Sequence, residues 1–144
     1  MLFRVLVVDD EADFLTTLVN RLRKRNLEVS GVESGEKALG LLDKEPFDVV
    51  VLDVKMPGMD GVEVLREMKR KWPLMEVIML TGHVSVESGI EGMKLGAFDY
   101  IMKPTDIDDL VDQMRKAFQK KSNHEEKIRQ AKIKELKNPI GPHS

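Results

Sequence analysis

Short runs of consecutive apolar residues alternate along this chain with segments in which apolar residues recur every three or four positions. Predominantly apolar runs, each with a single charged residue, occupy 2–8, 48–52, 76–80 and 98–102, whereas residues 27–32 alternate between apolar and polar side chains. A continuous apolar run is typical of a strand buried on both faces, and alternation is typical of a strand with one exposed face. The pattern therefore predicts five strands.

The segments between and after these strands have helical periodicity. In the first of them, an apolar face is formed by Phe14, Leu15, Leu18 and Leu22. Side chains suited to cap the four later helices are those of Ser34, Asp60, Ser85 and Asp106. Gly96 follows the fourth helical segment, where a left-handed residue commonly ends a helix. The chain is therefore predicted to alternate five strands with five helices.

Strands joined by helical crossovers run parallel, and helices then cover both faces of the sheet. We therefore expect an α/β fold with a doubly wound five-stranded parallel sheet. The expected strand order is 2-1-3-4-5, which is the flavodoxin-like, three-layer α/β/α arrangement.

Length and charge divide the chain into a body and a tail. Its 144 residues suffice for one compact domain, which we place at residues 1–120, followed by a charged tail at 121–144 that can extend the last helix. Residues 1–119 carry 16 Lys and Arg against 22 Asp and Glu, whereas residues 120–144 carry 7 against 3. Because the body is acidic, we expect no direct binding of nucleic acid.

Composition also restricts the chemistry. No apolar run approaches the roughly 20 residues needed to cross a bilayer, and the N-terminus lacks the pattern of a secretory signal, so we expect a cytoplasmic protein without membrane contact. There is no cysteine, and the three histidines are scattered, which excludes thiol catalysis and leaves little for a transition-metal site. Metal chemistry must therefore use carboxylates.

Three carboxylates follow the predicted first and third strands. Asp9 and Asp10 end the first strand, and Asp53 ends the third. In a sheet of this order, the carboxyl ends of strands 1 and 3 flank the switch point where ligands bind. Converging carboxylates repel one another unless a cation neutralises them, which favours a hard divalent ion such as Mg²⁺. The alternative is that these acids only end strands and cap the helices that follow.

Two further strand ends carry complementary groups. Thr81 closes the fourth strand with a hydroxyl, and Lys103 closes the fifth with a mobile cation. A metal, a hydroxyl and an ammonium are the groups needed to hold a phosphoryl group during transfer. Taken singly, each residue has a plain alternative, a β-forming threonine or a solvated lysine.

These residues lie in four motifs that together resemble the receiver domain of two-component response regulators. The motifs are the segments 5–11 (VLVVDDE), 53–61 (DVKMPGMDG), 80–82 (LTG) and 96–104 (GAFDYIMKP). The resemblance covers about residues 3–120. It implies a signalling domain rather than an enzyme acting on external substrates.

The resemblance implies roles for the acids. Asp53 would be the phosphoacceptor and would attack a phosphohistidine on a sensor histidine kinase. Asp9 and Asp10 would position Mg²⁺, together with Asp53 and the backbone carbonyl of Lys55. The chain's own chemistry would then be limited to receiving the phosphoryl group and slowly hydrolysing it.

Other residues acquire switching roles by the same resemblance. Thr81 would hydrogen-bond the phosphoryl group, and Lys103 would pair with Asp53 before transfer and with the phosphoryl group afterwards. Pro104 would hold the turn after the fifth strand through a cis Lys103–Pro104 bond. Tyr100 would swing inward when Thr81 moves and so change the surface of helix 4, strand 5 and helix 5. Without the family, Tyr100 reads as a half-buried strand aromatic.

Two positions that vary within the family are Lys55 and His83, each two residues beyond a site residue. We expect their side chains to tune the rate of dephosphorylation. One departure is Thr105, where the family often has an apolar residue, which leaves the geometry of that turn open.

The output of the signal is open. The tail has too few apolar residues for a second core, so an unknown output protein or domain is the expected partner, and a homodimer is a further expectation. The subfamily style resembles receivers that precede ATPase-type transcriptional activators, so the chain is alternatively a fragment of such a regulator. The rival from the enzyme class is a Mg²⁺-dependent phosphohydrolase with an aspartyl-phosphate intermediate. A third possibility, an adaptor without phosphorylation, is disfavoured by the complete set of site residues.

Overall fold

The computed structural model describes residues 2–54, 56, 58–82 and 86–137. Ten elements alternate strictly between strand and helix. They are β1 (Arg4–Val8), α1 (Ala12–Arg23), β2 (Glu28–Val32), α2 (Gly35–Leu42), β3 (Val49–Leu52), α3 (Gly61–Lys71), β4 (Glu76–Thr81), α4 (Val86–Lys94), β5 (Asp99–Met102) and α5 (Ile107–Lys137).

All five strands form one parallel sheet in the order β2-β1-β3-β4-β5. This confirms the predicted doubly wound topology. Because every strand runs in the same direction, the residues after β1, β3, β4 and β5 meet at one edge of the sheet. That edge carries the predicted site.

The core lies in two layers, one on each face of the sheet. Alternate residues of a strand point to opposite faces, so Val5 and Val7 of β1 contact the cluster beneath α1 and α5, whereas Leu6 and Val8 contact the cluster beneath α2 and α3. All four of these side chains are buried. Burial on both faces explains why β1 reads as a continuous apolar run.

Most of the predicted helix ends are confirmed. The Ser34 hydroxyl accepts a hydrogen bond from the Lys37 N–H at 3.2 Å, and an Asp106 carboxylate oxygen accepts one from the Asp108 N–H at 2.8 Å. Asp60 caps α3 in the same way, although at a longer 3.4 Å. Gly96 has a φ of 102°, the left-handed conformation expected after α4. Ser85 lies outside the described residues.

Helix α5 continues without a break through the expected body–tail boundary and ends at Lys137. Its middle is fastened to the amino-terminal edge of the sheet, where Lys120 lies 3.3 Å from the buried Glu76 carboxylate and Lys121 lies 3.0 Å from Asp48. Beyond these contacts the described residues of the helix are mostly exposed. No described helix is both long and apolar enough to cross a membrane.

Candidate functional site

The site is built on the carboxyl ends of β1 and β3. The Asp53 N–H donates a hydrogen bond to the Val8 carbonyl at 2.9 Å, and the Asp9 N–H donates one to the Val32 carbonyl at 3.1 Å. Both acids therefore continue the hydrogen-bond ladder one residue past the strands. These bonds fix both backbones at the end of the sheet, where Asp9 is 2% and Asp53 is 3% exposed.

The three predicted acids do converge. One carboxylate oxygen each from Asp9, Asp10 and Asp53 can be chosen so that all three atoms lie within 4.8 Å of one another. Asp10 is exposed, so the cluster opens to solvent on one side. Carboxylates at such separations repel one another and attract a cation.

The backbone behind Asp53 is held by a close approach of α3. The Gly61 N–H donates to the Val54 carbonyl at 2.8 Å. A Cβ added at Gly61 would lie 2.4 Å from the Asp53 carbonyl oxygen and 2.5 Å from that of Val54, which is too close for any side chain. The sequence analysis quoted Gly61 within a motif but gave it no role. Lys55, whose carbonyl was expected to bind metal, lies outside the described residues.

Lys103 reaches the cluster from β5. Its ammonium donates to Asp9 Oδ2 at 2.7 Å and to Glu11 Oε1 at 3.2 Å, and the Lys103 side chain is only 11% exposed. Asp9 is doubly engaged, because its Oδ1 also accepts from the Glu11 N–H at 2.9 Å. The described ion pairs of Lys103 are with Asp9 and Glu11, and its expected pairing with Asp53 stays a prediction.

Electrostatics keep Lys103 charged. Burial disfavours the ammonium, but the hydrogen bond and charge of Asp9, the charge of Asp53 and the hydrogen bond to Glu11 outweigh it, so the pKa of Lys103 is raised above its ordinary value of 10.5. Asp53 therefore acts on Lys103 through its charge. The ammonium supplies one positive charge to a cluster of three carboxylates.

Sequence reasoning also missed an aromatic contact at Lys103. The ammonium lies over the ring of Phe14, 3.9 Å from the ring centroid. In the sequence, Phe14 was assigned only to the apolar face of α1. No local signal distinguishes it from a core residue, because its contact comes from a residue far along the chain.

Thr81 and Lys103 end neighbouring strands and are tied through their backbones. The Lys103 N–H donates to the Thr81 carbonyl at 2.7 Å, and Thr81 is fully buried. The bond between Lys103 and Pro104 is cis, as the resemblance implied. The expected hydroxyl and ammonium therefore lie at one end of the sheet, while His83 lies outside the described residues.

Tyr100 lies between the sheet and α4. It pairs with Met79 in the β4–β5 register and is half-buried. A Cβ added at Gly89 of α4 would stand 3.6 Å from three atoms of the Tyr100 ring, so the ring lies directly against that helix. A rotation of the Tyr100 ring would therefore change its packing against α4.

The donor set fits a hard divalent cation. Asp9, Asp10 and Asp53 offer only oxygen atoms, which are the ligands that Mg²⁺ prefers. Their three negative charges exceed the single charge of Lys103, so a divalent ion would relieve the remaining repulsion. The exposed Asp10 leaves a path from solvent.

Comparison with known proteins identifies relatives over most of the chain. A family model described as the response regulator receiver domain matches residues 5–115. The transcriptional regulatory protein ZraR of Escherichia coli (strain K12) is 40% identical over 113 residues, or 78% of this chain and 26% of that protein. The DNA-binding transcriptional regulator NtrC of Klebsiella pneumoniae is 36% identical over 105 residues, 73% of this chain and 22% of that protein. The chain thus spans about a quarter of the length of these curated relatives.

Solved structures agree with the fold. A CheY-like response regulator receiver domain protein from Methanospirillum hungatei JF-1 superposes with a TM-score of 0.82 at 30% identity, covering 86% of this chain and 99% of that one. NtrX from Brucella abortus gives a TM-score of 0.82 at 29% identity, covering 88% of this chain but 29% of that one. The likeness therefore covers the sheet and its helices.

Proposed function

The chain belongs to the response regulator receiver domain family, and from that premise we propose that Asp53 is the residue on which this signalling switch is phosphorylated. The observation that carries the proposal is the convergence of Asp9, Asp10 and Asp53 at the sheet edge where Lys103 also arrives. Asp53 is the buried acid at the centre of the sheet, since β3 is its middle strand.

The proposed reaction is a transfer from a phosphohistidine of a sensor histidine kinase. A carboxylate oxygen of Asp53 attacks phosphorus in line with the leaving nitrogen, so an O–P bond forms while the N–P bond breaks. The imidazole leaves with the electron pair of that bond and gains a proton from solvent. The fixed backbone of Asp53 holds its carboxylate in place for this attack.

Asp9, Asp10 and Asp53 would hold Mg²⁺ with the backbone carbonyl of Lys55. When bound, the metal neutralises charge on the phosphoryl oxygens. Lys103 would add its own positive charge through a hydrogen bond from its ammonium to the new phosphoryl group. The Thr81 hydroxyl would donate a hydrogen bond to a phosphoryl oxygen.

Signal output is proposed to use the surface formed by α4, β5 and α5. Thr81 moving toward the phosphoryl group would let Tyr100 turn inward, and the contact of Tyr100 with Gly89 would pass the change to α4. Apolar side chains exposed on this surface are those of Ile90, Met93 and Met102. Exposed apolar residues that lie together are typical of an interface.

We propose that this surface binds a second copy of the chain when Asp53 is phosphorylated. Sedimentation velocity before and after phosphorylation measures the change, and we expect a shift from monomer to dimer. A phosphorylated protein that sediments as an unchanged monomer contradicts this part of the proposal.

The relatives named as transcriptional regulators support a transcriptional output, which we propose lies in a partner or another domain rather than in these residues. The acidic body, with 16 basic against 22 acidic residues in 1–119, supports the absence of a nucleic-acid surface there. We also propose that Lys55 and His83 set the lifetime of the aspartyl phosphate by meeting the water that attacks it. Replacing both with alanine and finding an unchanged half-life would refute that role.

The phosphohydrolase alternative is disfavoured by one position. Such an enzyme would use a second acid two residues beyond the nucleophile as general acid and base, and that position is Lys55. We therefore propose that the chain does not turn over external phosphate esters.

The test of the proposed function is the intact mass of the protein after incubation with Mg²⁺ and acetyl phosphate. We expect the parent protein to gain one phosphoryl group and Asp53→Asn to gain none. Asp13→Asn is a matched control, because Asp13 is an exposed acid on α1 outside the cluster, and it should be phosphorylated normally. A parent without the adduct, or an Asp53→Asn variant that keeps it, would overturn the assignment.

A further inference from the structure

The ammonium of Lys103 is held by three groups that all come from one short segment, residues 9–14. Asp9 and Glu11 accept its hydrogen bonds at 2.7 and 3.2 Å, and the Phe14 ring lies beneath it at 3.9 Å. The segment is the connection that follows β1 together with the first residues of α1, so these groups are fixed to a common backbone.

We propose that Phe14 is a positioning residue for Lys103 in phosphoryl transfer to Asp53. The proposal rests on the proposed function, because it names a role in that reaction. Phe14 does not touch the reacting atoms. It acts by holding the lysine cation where both the resting carboxylates and the phosphoryl group are within reach.

The physical basis is the attraction between a cation and the face of an aromatic ring. A distance of 3.9 Å to the centroid is well inside the roughly 6 Å range of this interaction. The Lys103 side chain is largely shielded from water, which strengthens the attraction. A lysine stem has four rotatable bonds, and a ring on one side removes many of its conformations.

The ring also leaves the hydrogen-bond donors of Lys103 free for other partners. An ammonium has three N–H donors, of which Asp9 and Glu11 engage two. The ring face stabilises the charge of the ammonium electrostatically and does not use an N–H donor as an oxygen acceptor would. A donor of the ammonium would then bond a phosphoryl oxygen while the ring continues to hold the nitrogen.

The plain alternative is that Phe14 only packs against the core. Its ring is half-buried and contacts the core cluster on the α1 side of the sheet. It also lines a cavity of about 220 Å³ together with Leu18, Pro104 and Ile107. Because this cavity borders the ring, the core does not enclose Phe14 on all sides, and a smaller apolar side chain at this position tests the packing alternative.

The experiment compares phosphorylation rates with Mg²⁺ and acetyl phosphate for Phe14→Leu, Phe14→Tyr and the parent. We expect Phe14→Leu to react about threefold to tenfold more slowly, because it removes the aromatic face. Phe14→Tyr keeps that face and should stay within about twofold of the parent. Phe118→Leu is the matched control, since Phe118 stacks on Phe3 away from Lys103, and its rate should be unchanged.

A structural role is separated by repeating the change in a Lys103→Met background. If Phe14 acts through Lys103, Phe14→Leu will slow the reaction no further there. An equal slowing in both backgrounds overturns the proposal.

The results distinguish a wrong function for Asp53 from a wrong role for Phe14. If the parent takes up no phosphoryl group, the proposed function is wrong and the role of Phe14 in it is wrong as well. If the parent is phosphorylated on Asp53 and folded Phe14→Leu reacts at the same rate, only the inference about Phe14 is overturned.

Discussion

Lys103 joins the separate parts of the site. Its backbone N–H contacts Thr81, its ammonium contacts Asp9 and Glu11, and the charge of Asp53 also acts on it. Lys103 therefore contacts the end of β4 at Thr81 and the end of β1 at Asp9, and it interacts with the charge of the proposed phosphoacceptor, Asp53. A change in charge on Asp53 would act on Lys103 directly, without movement of a helix or strand.

The raised pKa of Lys103 leads to a prediction about stability. A cation whose pKa is higher in the folded than in the unfolded chain stabilises the fold at pH values below the unfolded value, here 10.5, and loses this contribution as pH rises through the folded value. Lys103→Met should therefore unfold more easily than the parent at pH 7 and pH 9. Urea unfolding at these values and at pH 11 measures the difference, which should shrink at pH 11. A constant difference across all three would contradict the ion-pair account.

The sequence predicted which residues form the site better than it predicted which side chains contact one another. Asp9, Asp10 and Asp53 were placed together because parallel strands bring their carboxyl ends to one edge, and the structure confirms the cluster. The contacts of Lys103 with Asp9, Glu11 and Phe14 were not predicted. Asp9 and Phe14 lie about ninety residues earlier in the chain, and whether an ammonium turns toward one carboxylate or the next depends on side-chain packing.

The connection from β3 to α3 is the element on which Asp53 depends. The chain leaves β3 at Asp53 and returns so closely at Gly61 that the helix start touches the carbonyls of Asp53 and Val54. Gly58 in the same connection has a φ of 82°, a conformation that other residues rarely adopt. The two glycines thus shape the turn that presents the proposed phosphoacceptor.

Replacing Gly61 with alanine tests this element. The added methyl group would force the helix start away from Asp53, and we expect a loss of about 1–3 kcal/mol in the free energy of unfolding, as overpacked sites usually show. Gly40→Ala is the matched control, because a Cβ there meets nothing within 4 Å inside α2. It should be neutral or stabilise the protein by up to about 1 kcal/mol. Denaturant unfolding of both variants decides, and equal effects would refute the close-approach argument.

Sequence predicted the elements well because their signals are local. The apolar runs, the caps at Ser34 and Asp106, and the stop at Gly96 each depend on neighbouring residues. The close approach of Gly61 was not recognised, since it depends on how α3 meets β3 in space. A glycine after an N-cap gives no such signal by itself.

The candidate site and the ion pairs that hold α5 lie at opposite ends of the strands. The acids and Lys103 gather at the carboxyl edge of the sheet, whereas α5 is fastened at the opposite edge by Lys120 and Lys121. The buried Glu76 at that edge also pairs with Lys69 of α3 at 3.4 Å, so two helices share one carboxylate. The end of the sheet far from the site is thus tied to α3 and α5 by ion pairs, which is consistent with the proposal that α4 transmits the signal.

Asp53 is proposed to hold the phosphoryl group, and a permanent chemical label tests this directly. An aspartyl phosphate is reduced by borohydride to homoserine, which marks the modified residue permanently. We propose treating the protein with Mg²⁺ and acetyl phosphate, then with borohydride, and sequencing its peptides by mass spectrometry. If Asp53 is the phosphoacceptor, homoserine is found at position 53. Homoserine at position 9 or 10 instead, or at no position, refutes this assignment.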